Sequence, residues 1–433
     1  MNGRVIIRVD LAIERPWAVG GVADTISDID LPVLADPRGD GRGSAFLPAT
    51  SLVGSLRRHL DDDHELWLGS AESSDDDPGT PSPLRCLGAV LETPESITTR
   101  MTTAIDAKRR AASQHMLREE EVVPATEVNP TIVHWFLQLD SATAGLDSLI
   151  ERLSTWAPVV GRRRSSGQGD AFVRSVHCAE LDLDDSAHLT WWLGARHTWD
   201  GASEADQPPG WKRADAPSPG TIQHRPERVL EIDFTVEEPL HLGCGKPIKK
   251  AGQKTVHRTG FRVPGSSWKG LFRHRVEHIL RVRGYGEEEC TRIVGDLFGT
   301  GRASGASKDE GERGILRFRD SDLVGSRTVE RTHVAIDRVT GGALDRSGNG
   351  DGAGGALFAV EAIAPGATVK LQIDASDSPD ELGVLLLEHV VRDIDDRLIG
   401  VGGLTSRGYG TLRLAKSRPT PNPVPGPVGG EAS

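Results

Sequence analysis

The sequence predicts an α+β protein of two tandem ferredoxin-like domains (RRM-like, β-α-β-β-α-β), each enlarged by insertions. Three observations predict it. Motifs of the first half recur in the second in the same order. Each half runs strand, helix, several strands, helix, strand. A polar, Pro/Gly-rich stretch separates the halves. The boundaries that follow are a first domain over 1–199, a linker over 200–228, a second domain over 229–416 and a disordered tail over 417–433.

The opening strand "VIIRVDLAIERPWAVGG" matches "VLEIDFTVEEPLHLGCG", pairing Pro16 with Pro239 and Gly20 with Gly243. "LPATSLVGSLRRHL" matches "VPGSSWKGLFRHRV", pairing Pro48 with Pro264 and Arg57 with Arg273. "LWLGS" matches "DLFGT", and "TAIDAKRRA" matches "VAIDRVTGG". "GRRRSSGQGD" matches "GGLTSRGYGT", pairing Gly167 with Gly408 and Gly169 with Gly410. The offset drifts from 223 to 216, 231 and 241 residues as loops change length. Chance similarity among Gly-rich turns does not account for several blocks agreeing in order.

The first helix of each half is expected to start near Thr50 or Ser266, both acceptable N-caps. The last helix of half one is expected over about 143–156, with Leu146, Leu149, Ile150 and Leu153 on one face. Its counterpart starts at Ser378, with Pro379 at the first helical position and Glu381 completing a capping box. Each half closes on an alternating strand, "DAFVRSVHC" or "GTLRLAK". Trp191 and Trp192 are expected in the core on that last strand, with Trp199 and Trp211 anchoring the linker. Segments 70–82 and "GTGRASGASKDEGERG" read as mobile.

The composition is that of a soluble globular chain, with 37% hydrophobic and 26% charged residues. A net charge of −12 argues weakly against nucleic-acid binding, because local patches decide phosphate contact. Bases cluster at Arg162, Arg163 and Arg164, at Lys249 and Lys250, and from Lys269 to Arg283. The four cysteines form no C-x-x-C pair, which argues against a zinc ribbon or disulfide framework. The N-terminus reads as a strand, and no apolar run is long enough to span a membrane. A cytoplasmic protein without a membrane partner is expected.

Pro264-Gly265 makes a turn, and Ser266 and Ser267 open a helix whose free N–H groups suit an anion. Gly270 suggests close approach by another backbone. Lys269 and Arg273 share a helix face; a capped helix with a solvated basic face explains the same residues. The glycine segments ahead of each final strand allow a phosphate backbone to come close, or form ordinary tight turns. "HRVEH" (His274 to His278) fits an inverted zinc-peptidase pattern without a third ligand and is read as accidental. Between Gly20 and Pro48 the chain carries Asp28, Asp30, Asp36 and Asp40. Between Gly243 and Pro264 there is no acid, and Lys246, Lys249, Lys250, Lys254, Arg258 and Arg262 take the space.

Taken together, "IDLPVLADPRGDGRGSAFLPATSLVGSLR", "FRVPGSSWKGLFRHR", the "LFG" block, "VAIDRVTGGA" and "GVGGLTSRGYGTLRL" resemble the glycine-rich signatures of the RAMP superfamily of CRISPR proteins. The nearest likeness is to backbone subunits of type III effector complexes. The resemblance implies binding of guide RNA, with Thr50, Ser51, Arg57, Arg162, Arg163, Arg164, Lys249, Lys250, Lys254, Ser266, Ser267, Lys269, Arg273 and Arg407 as RNA-contacting residues. It implies complementary target RNA and other type III CRISPR subunits as partners. Half one departs from the pattern at Ala49 and Val53, where Gly and Lys are usual. Ile29-Asp30-Leu31-Pro32-Val33 fits the family's Ile-Asp-x-Pro-Val, in which the aspartate cuts target RNA with a divalent metal, Mg or Mn. Asp30 is then the catalytic and metal-binding residue, with Asp28 and Asp36 as assistants.

Three alternatives stand beside this reading. Asp30 is a turn-capping carboxylate in a non-catalytic backbone or capping subunit. The chain is a metal-independent endoribonuclease that processes guide precursors with His59 and His64. Or it is a protein scaffold that makes no RNA contact.

Overall fold

A computed structural model describes the chain except residues 1–2, 22–28, 37–43, 71–78, 93–95, 103–104, 107–110, 113–117, 141–144, 195–206, 215–226, 246, 250–254, 301–312, 338, 340, 344–356 and 428–433. The described residues form a mixed α+β fold with several antiparallel sheets. The chain divides into two compact units. Unit 1 is Met1–Thr99, Arg118–Arg164 and Gln168–Arg225; unit 2 is Arg100–Leu117, Ser165–Gly167 and Pro226–Ser433.

The first half carries β1 (Gly3–Ile13), α1 (Ala49–Leu60), α2 (His64–Leu68), β2 (Arg85–Leu91), β3 (Thr98–Thr102), β4 (Ile105–Asp106), β5 (Ala111–Ala112), β6 (Arg118–Val122), β7 (Thr131–Asp140), α3 (Leu146–Thr155), β8 (Ala171–Asp182), α4 (Ser186–Gly194) and β9 (Lys212–Arg213). The second carries β10 (Glu227–Val236), β11 (Ile248–Lys249), β12 (Thr255–His257), β13 (Arg262–Val263), α5 (Gly265–Val282), α6 (Glu287–Phe298), β14 (Leu316–Phe318), β15 (Ser321–Val324), β16 (Thr328–Val334), β17 (Leu357–Ile363), β18 (Thr368–Ala375), α7 (Glu381–Asp395) and β19 (Leu412–Leu414).

Unit 1 has the sheet order β2-β7-β1-β8-β9, and unit 2 has β13-β15-β18-β10-β19. In both, the first strand lies inside the sheet: β1 between β7, which precedes α3, and β8, and β10 between β18, which precedes α7, and β19. Alternation along β1 explains the placement: Val5, Ile7, Val9, Leu11 and Ile13 enter the core, with Leu52, Leu56 and Leu60 of α1 packed into the same cluster. In unit 2, Ile232, Phe234 and Val236 meet Trp268, Phe272, Val276 and Leu280 of α5, again spaced four apart. Each fully buried side chain of this kind contributes roughly 1.5–3 kcal/mol.

The outer face of the unit 1 sheet holds a polar network. Buried Asp10 accepts from Ser175 Oγ (2.7 Å) and Arg8 Nη2 (3.1 Å), and His134 Nδ1 lies 2.7 Å from its Oδ1. Burial alone would raise this carboxyl. The bonds from His134, His177 and Ser175 and the charge of Arg8 outweigh it and hold Asp10 well below the carboxylate range. Trp211 stacks on His177 at 5.7 Å and lies under the Arg8 guanidinium.

Several expectations change. Both signature helices start one residue early, with Pro48 and Pro264 at the N-cap position and no capping side chain. Proline can sit there because that N–H needs no helical partner. Helix α7 is capped by Asp380, which accepts from Gly383 N (2.7 Å), while the Ser378 hydroxyl donates to Glu227. Trp191 and Trp192 lie half-exposed on α4, not on a core strand. No neighbouring atom among the described residues approaches within 4 Å of a Cβ placed at Gly270, so no backbone packs there. The tail is held in part: Val424 is buried in the unit 2 core and Asn422 O meets His389 Nε2 at 2.7 Å. Among the described residues, no helix is long and apolar enough to cross a membrane.

Candidate nucleic-acid interface

The two glycine segments close each half in one register. Gly169 N donates to Pro16 O (3.0 Å) as Gly410 N does to Pro239 O (2.8 Å). Val160 and Val401 donate to Gly169 and Gly410 at 2.8 and 2.9 Å. Gly169 and Gly410 have φ of 76° and 78°, and a Cβ on either would stand 1.9 Å from a valine carbonyl. Close backbone approach therefore requires glycine at both sites. Arg163 and Leu404, 241 residues apart, share a left-handed φ of 56° and 61°. That conformation is costly for a side-chain-bearing residue and collects at functional sites.

Below each loop lies a shared pattern of bridges. Trp17 bridges Val123 as Leu240 bridges Ile363, and Gly20 bridges Val33 as Gly243 bridges Thr259. Leu31 pairs in parallel with Glu120 as His257 does with Val360. Asp30 therefore occupies the position of Val256 on β12.

Asp30 is exposed, and its Oδ2 accepts from Glu119 N (2.8 Å) while its own N–H donates to Glu119 O (3.0 Å). The chain beyond it is pinned by Arg162, which donates to the carbonyls of Leu31 (2.6 Å), Pro32 (3.2 Å) and Glu121 (2.6 Å). Arg163 pairs with Glu120 (2.7 Å), and Arg164 Nε donates to Gly161 O (2.7 Å). The three arginines that read as a phosphate patch thus each bond within the protein, and Arg162 is what positions the Asp30 segment. That role was invisible in sequence, because its acceptors are carbonyls 41 to 131 residues away.

No group of three or more His, Cys, Asp or Glu among the described residues is arranged to hold a metal. Asp28 lies outside the described residues; Asp36 lies inside them, half-buried. Among the described residues of this segment, the exposed, hard carboxylate is that of Asp30. That fits Mg²⁺ or Mn²⁺, which keep several waters and take one or two protein carboxylates beside substrate phosphate.

At the start of α5, Gly265 N donates to Asp320 Oδ1 (2.8 Å), so a carboxylate of the chain already serves this N–H. Ser267 N turns back to Pro264 O (2.9 Å), as Ser51 N does to Pro48 O (2.9 Å). Ser267 and Thr50 are exposed; Ser266 and Ser51 are half-buried. Arg57 donates to the carbonyls of Leu68 (3.2 Å) and Gly69 (3.3 Å), and Arg273 to that of Gly299 (2.6 Å). In both halves this arginine clamps the end of the following helix. Lys269 is different. Burial above all, and then the charges of Arg273 and Arg313, push its pKa from 10.5 down to about 8. An incoming anion would relieve it.

Arg407 is exposed, with its guanidinium carbon 6.0 Å from the Phe358 ring. Lys249 pairs through its backbone with Thr255; Lys250 and Lys254 lie outside the described residues. His59 Nε2 is 2.8 Å from Arg152 O, and His64 Nδ1 is 2.5 Å from Asp61 O. His274 and His278 are exposed on the outer side of α5. Sequence reasoning missed Asp320, between β14 and β15, and Phe358 on β17 beside Arg407, neither of which carries a local motif.

Residues 233–413 match the family model of the RAMP superfamily. The match runs from the middle of β10 into β19, which frames the unit 2 sheet and its glycine loop. No curated protein matches the chain.

Proposed function

We propose that the chain is a guide-RNA-binding subunit of a type III CRISPR ribonucleoprotein, built of two ferredoxin-like RAMP domains. The second half grips RNA, and the first carries Asp30 for cleavage of complementary target RNA. The observation that carries this reading is the register shared by the two halves. The matched region has a glycine loop and bridge pattern, and the first half repeats both, with Asp30 at the position of Val256.

Lys269 and the exposed Ser267 offer a cation and a hydroxyl donor to phosphate at the first turns of α5. In the first half, Arg162 and the backbone of Glu119 hold the Asp30 carboxylate at the surface, where a strand can reach it. A Mg²⁺ or Mn²⁺ ion held by Asp30 would supply Lewis-acid polarisation of the scissile phosphate.

A second reading has an observation of its own. The bond from Glu119 N to Asp30 Oδ2 is also what a structural strand cap would make, as in a non-catalytic backbone subunit. Cleavage of guide-complementary RNA by the reconstituted complex decides between them. With Mg²⁺ or Mn²⁺ present, Asp30→Ala should lower cleavage by about 10²-fold or more and leave guide retention within about two-fold. Undiminished cutting would leave only the structural role.

A further inference from the structure

Helix α4, which closely follows β8 in unit 1, has the composition of a core helix. Ala187, Leu189, Trp191, Trp192 and Leu193 make five of its nine residues apolar. A helix with apolar residues around its circumference ordinarily belongs inside a protein. None of the residues of α4 is buried. Leu189 is 38% exposed and Leu193 63%, four apart on one face. Trp192, three residues after Leu189, borders that face and is half-exposed.

The start of the helix is firmly held. Asp185 Oδ1 accepts from Ala187 N (2.8 Å) and His188 N (3.1 Å), and His188 Nδ1 accepts from Asp182 N (2.9 Å). Thr190 Oγ1 donates to Ser186 O (2.6 Å). These polar side chains serve the helix backbone and its junction with β8, and the two leucines face outward. Glu180, Asp182, Asp184 and Asp185 are exposed at the same end of β8, and none of them forms an ion pair among the described residues. Lys212 and Arg213 on β9 stand opposite Cys178 and His177, short of that end. Among the described residues no helix follows β19, so the feature belongs to the first half.

An exposed apolar stripe with an acidic border marks a protein-docking surface: covering the stripe removes it from water, and the charges select what covers it. We propose that α4 packs against an amphipathic helix of another protein, one whose apolar stripe is bordered by lysine or arginine. The nine residues of α4 span about 14 Å, room for two to three turns of such a helix. Charge decides the occupant. A second copy packed α4 against α4 about a two-fold axis would set acids against acids. Residues 195–206 of the chain carry Asp200, Glu204 and Asp206 against one arginine, Arg196, the same sign as the border. The border also repels RNA, so this surface is independent of the RNA-binding reading.

The test uses the full chain and two labelled helical peptides about four turns long. Both carry the same leucine stripe, bordered by lysine in one and by glutamate in the other. Binding is read by anisotropy. The lysine peptide should bind about ten-fold tighter or more. Leu189→Gln with Leu193→Gln should weaken it about ten-fold and leave Tm unchanged, because both side chains are exposed. Asp182→Asn with Asp184→Asn should flatten the salt dependence of lysine-peptide binding. No binding of the lysine peptide, equal binding of the two, or binding indifferent to the leucine changes would overturn the proposal. Self-association of wild type in sedimentation, abolished by the leucine changes, would make a second copy the occupant and overturn it as well. Replacing residues 195–206 by a Gly/Ser segment of equal length should leave peptide binding unchanged. A rise of about ten-fold would mean that the chain covers α4 itself, and would overturn the proposal too.

Discussion

At the scale of single residues, charge state and partners decide what each group can do. Lys269 titrates near 8 in the folded protein and near 10.5 when unperturbed. Between those values the unfolded chain holds a proton that the folded chain has lost, so stability rises with pH across that window. Below it both states are charged, and the folded state bears a constant penalty. Lys269→Met should therefore raise Tm at pH 7 and flatten the slope above pH 8; an unchanged melting profile would remove the account of a desolvated lysine beside two arginines. Bound phosphate favours the charged lysine, so RNA affinity should fall as pH climbs past about 8 in wild type and not in Lys269→Met. Asp10 has the opposite sign. Its carboxyl is held low by His134, His177, Ser175 and Arg8, so its stabilisation is present above the ordinary carboxylate pKa and is lost progressively below it. Asp10→Ala leaves Arg8 without its buried partner and should cost about 3–5 kcal/mol, read by denaturant unfolding. A cost below about 1 kcal/mol would mean that the network is solvated.

At the scale of elements, two glycines of the signature regions separate by backbone geometry. Gly410 sits at positive φ, where a Cβ would strike Val401 O at 1.9 Å. Gly410→Ala should destabilise by more than about 1 kcal/mol, because a strained conformation and a clash add. Gly270 lies mid-helix with open space around it, so Gly270→Ala should stabilise the free protein by up to about 1 kcal/mol. If the alanine also weakens RNA binding, the open space is the approach path of the ligand backbone; if binding is unaffected, the glycine has no contact role. The helices α1 and α5 were legible because their apolar residues recur at four-residue spacing and their flanking prolines set the start. Their first residues were misjudged by one, since Ser and Thr read as caps whenever they precede an apolar run. The cap of α7 was misplaced for a similar reason: Ser378, Asp380 and Glu381 are all plausible cap residues, and only the position of Glu227 drew the Ser378 hydroxyl away.

At the scale of the whole molecule, the net charge of −12 means that the proposed RNA contact would come from local clusters, not from a general field. Affinity should fall steeply with salt and be carried by the second half, where Lys269, Arg331 and Arg407 stand. On the proposed cleavage reading, one chain should make one cut, because Val256 stands at the position of Asp30 in the second half. Two cuts per chain, mapped on a labelled target, would contradict that division. The order of the repeats, the α+β composition and the core stripes were determined by the sequence itself, because hydrophobic periodicity and glycine at positive φ are local requirements. Tertiary structure alone decided what the charged residues do. Arg57, Arg162 and Arg273 looked like phosphate ligands in sequence and are bonded to carbonyls. Phe358 and His333 carried no signal, and Tyr409 was visible only as part of the closing glycine segment; the fold packs the three rings together. A guanidinium bonds to whatever acceptor the fold brings within about 3 Å, and that acceptor can lie a hundred residues away.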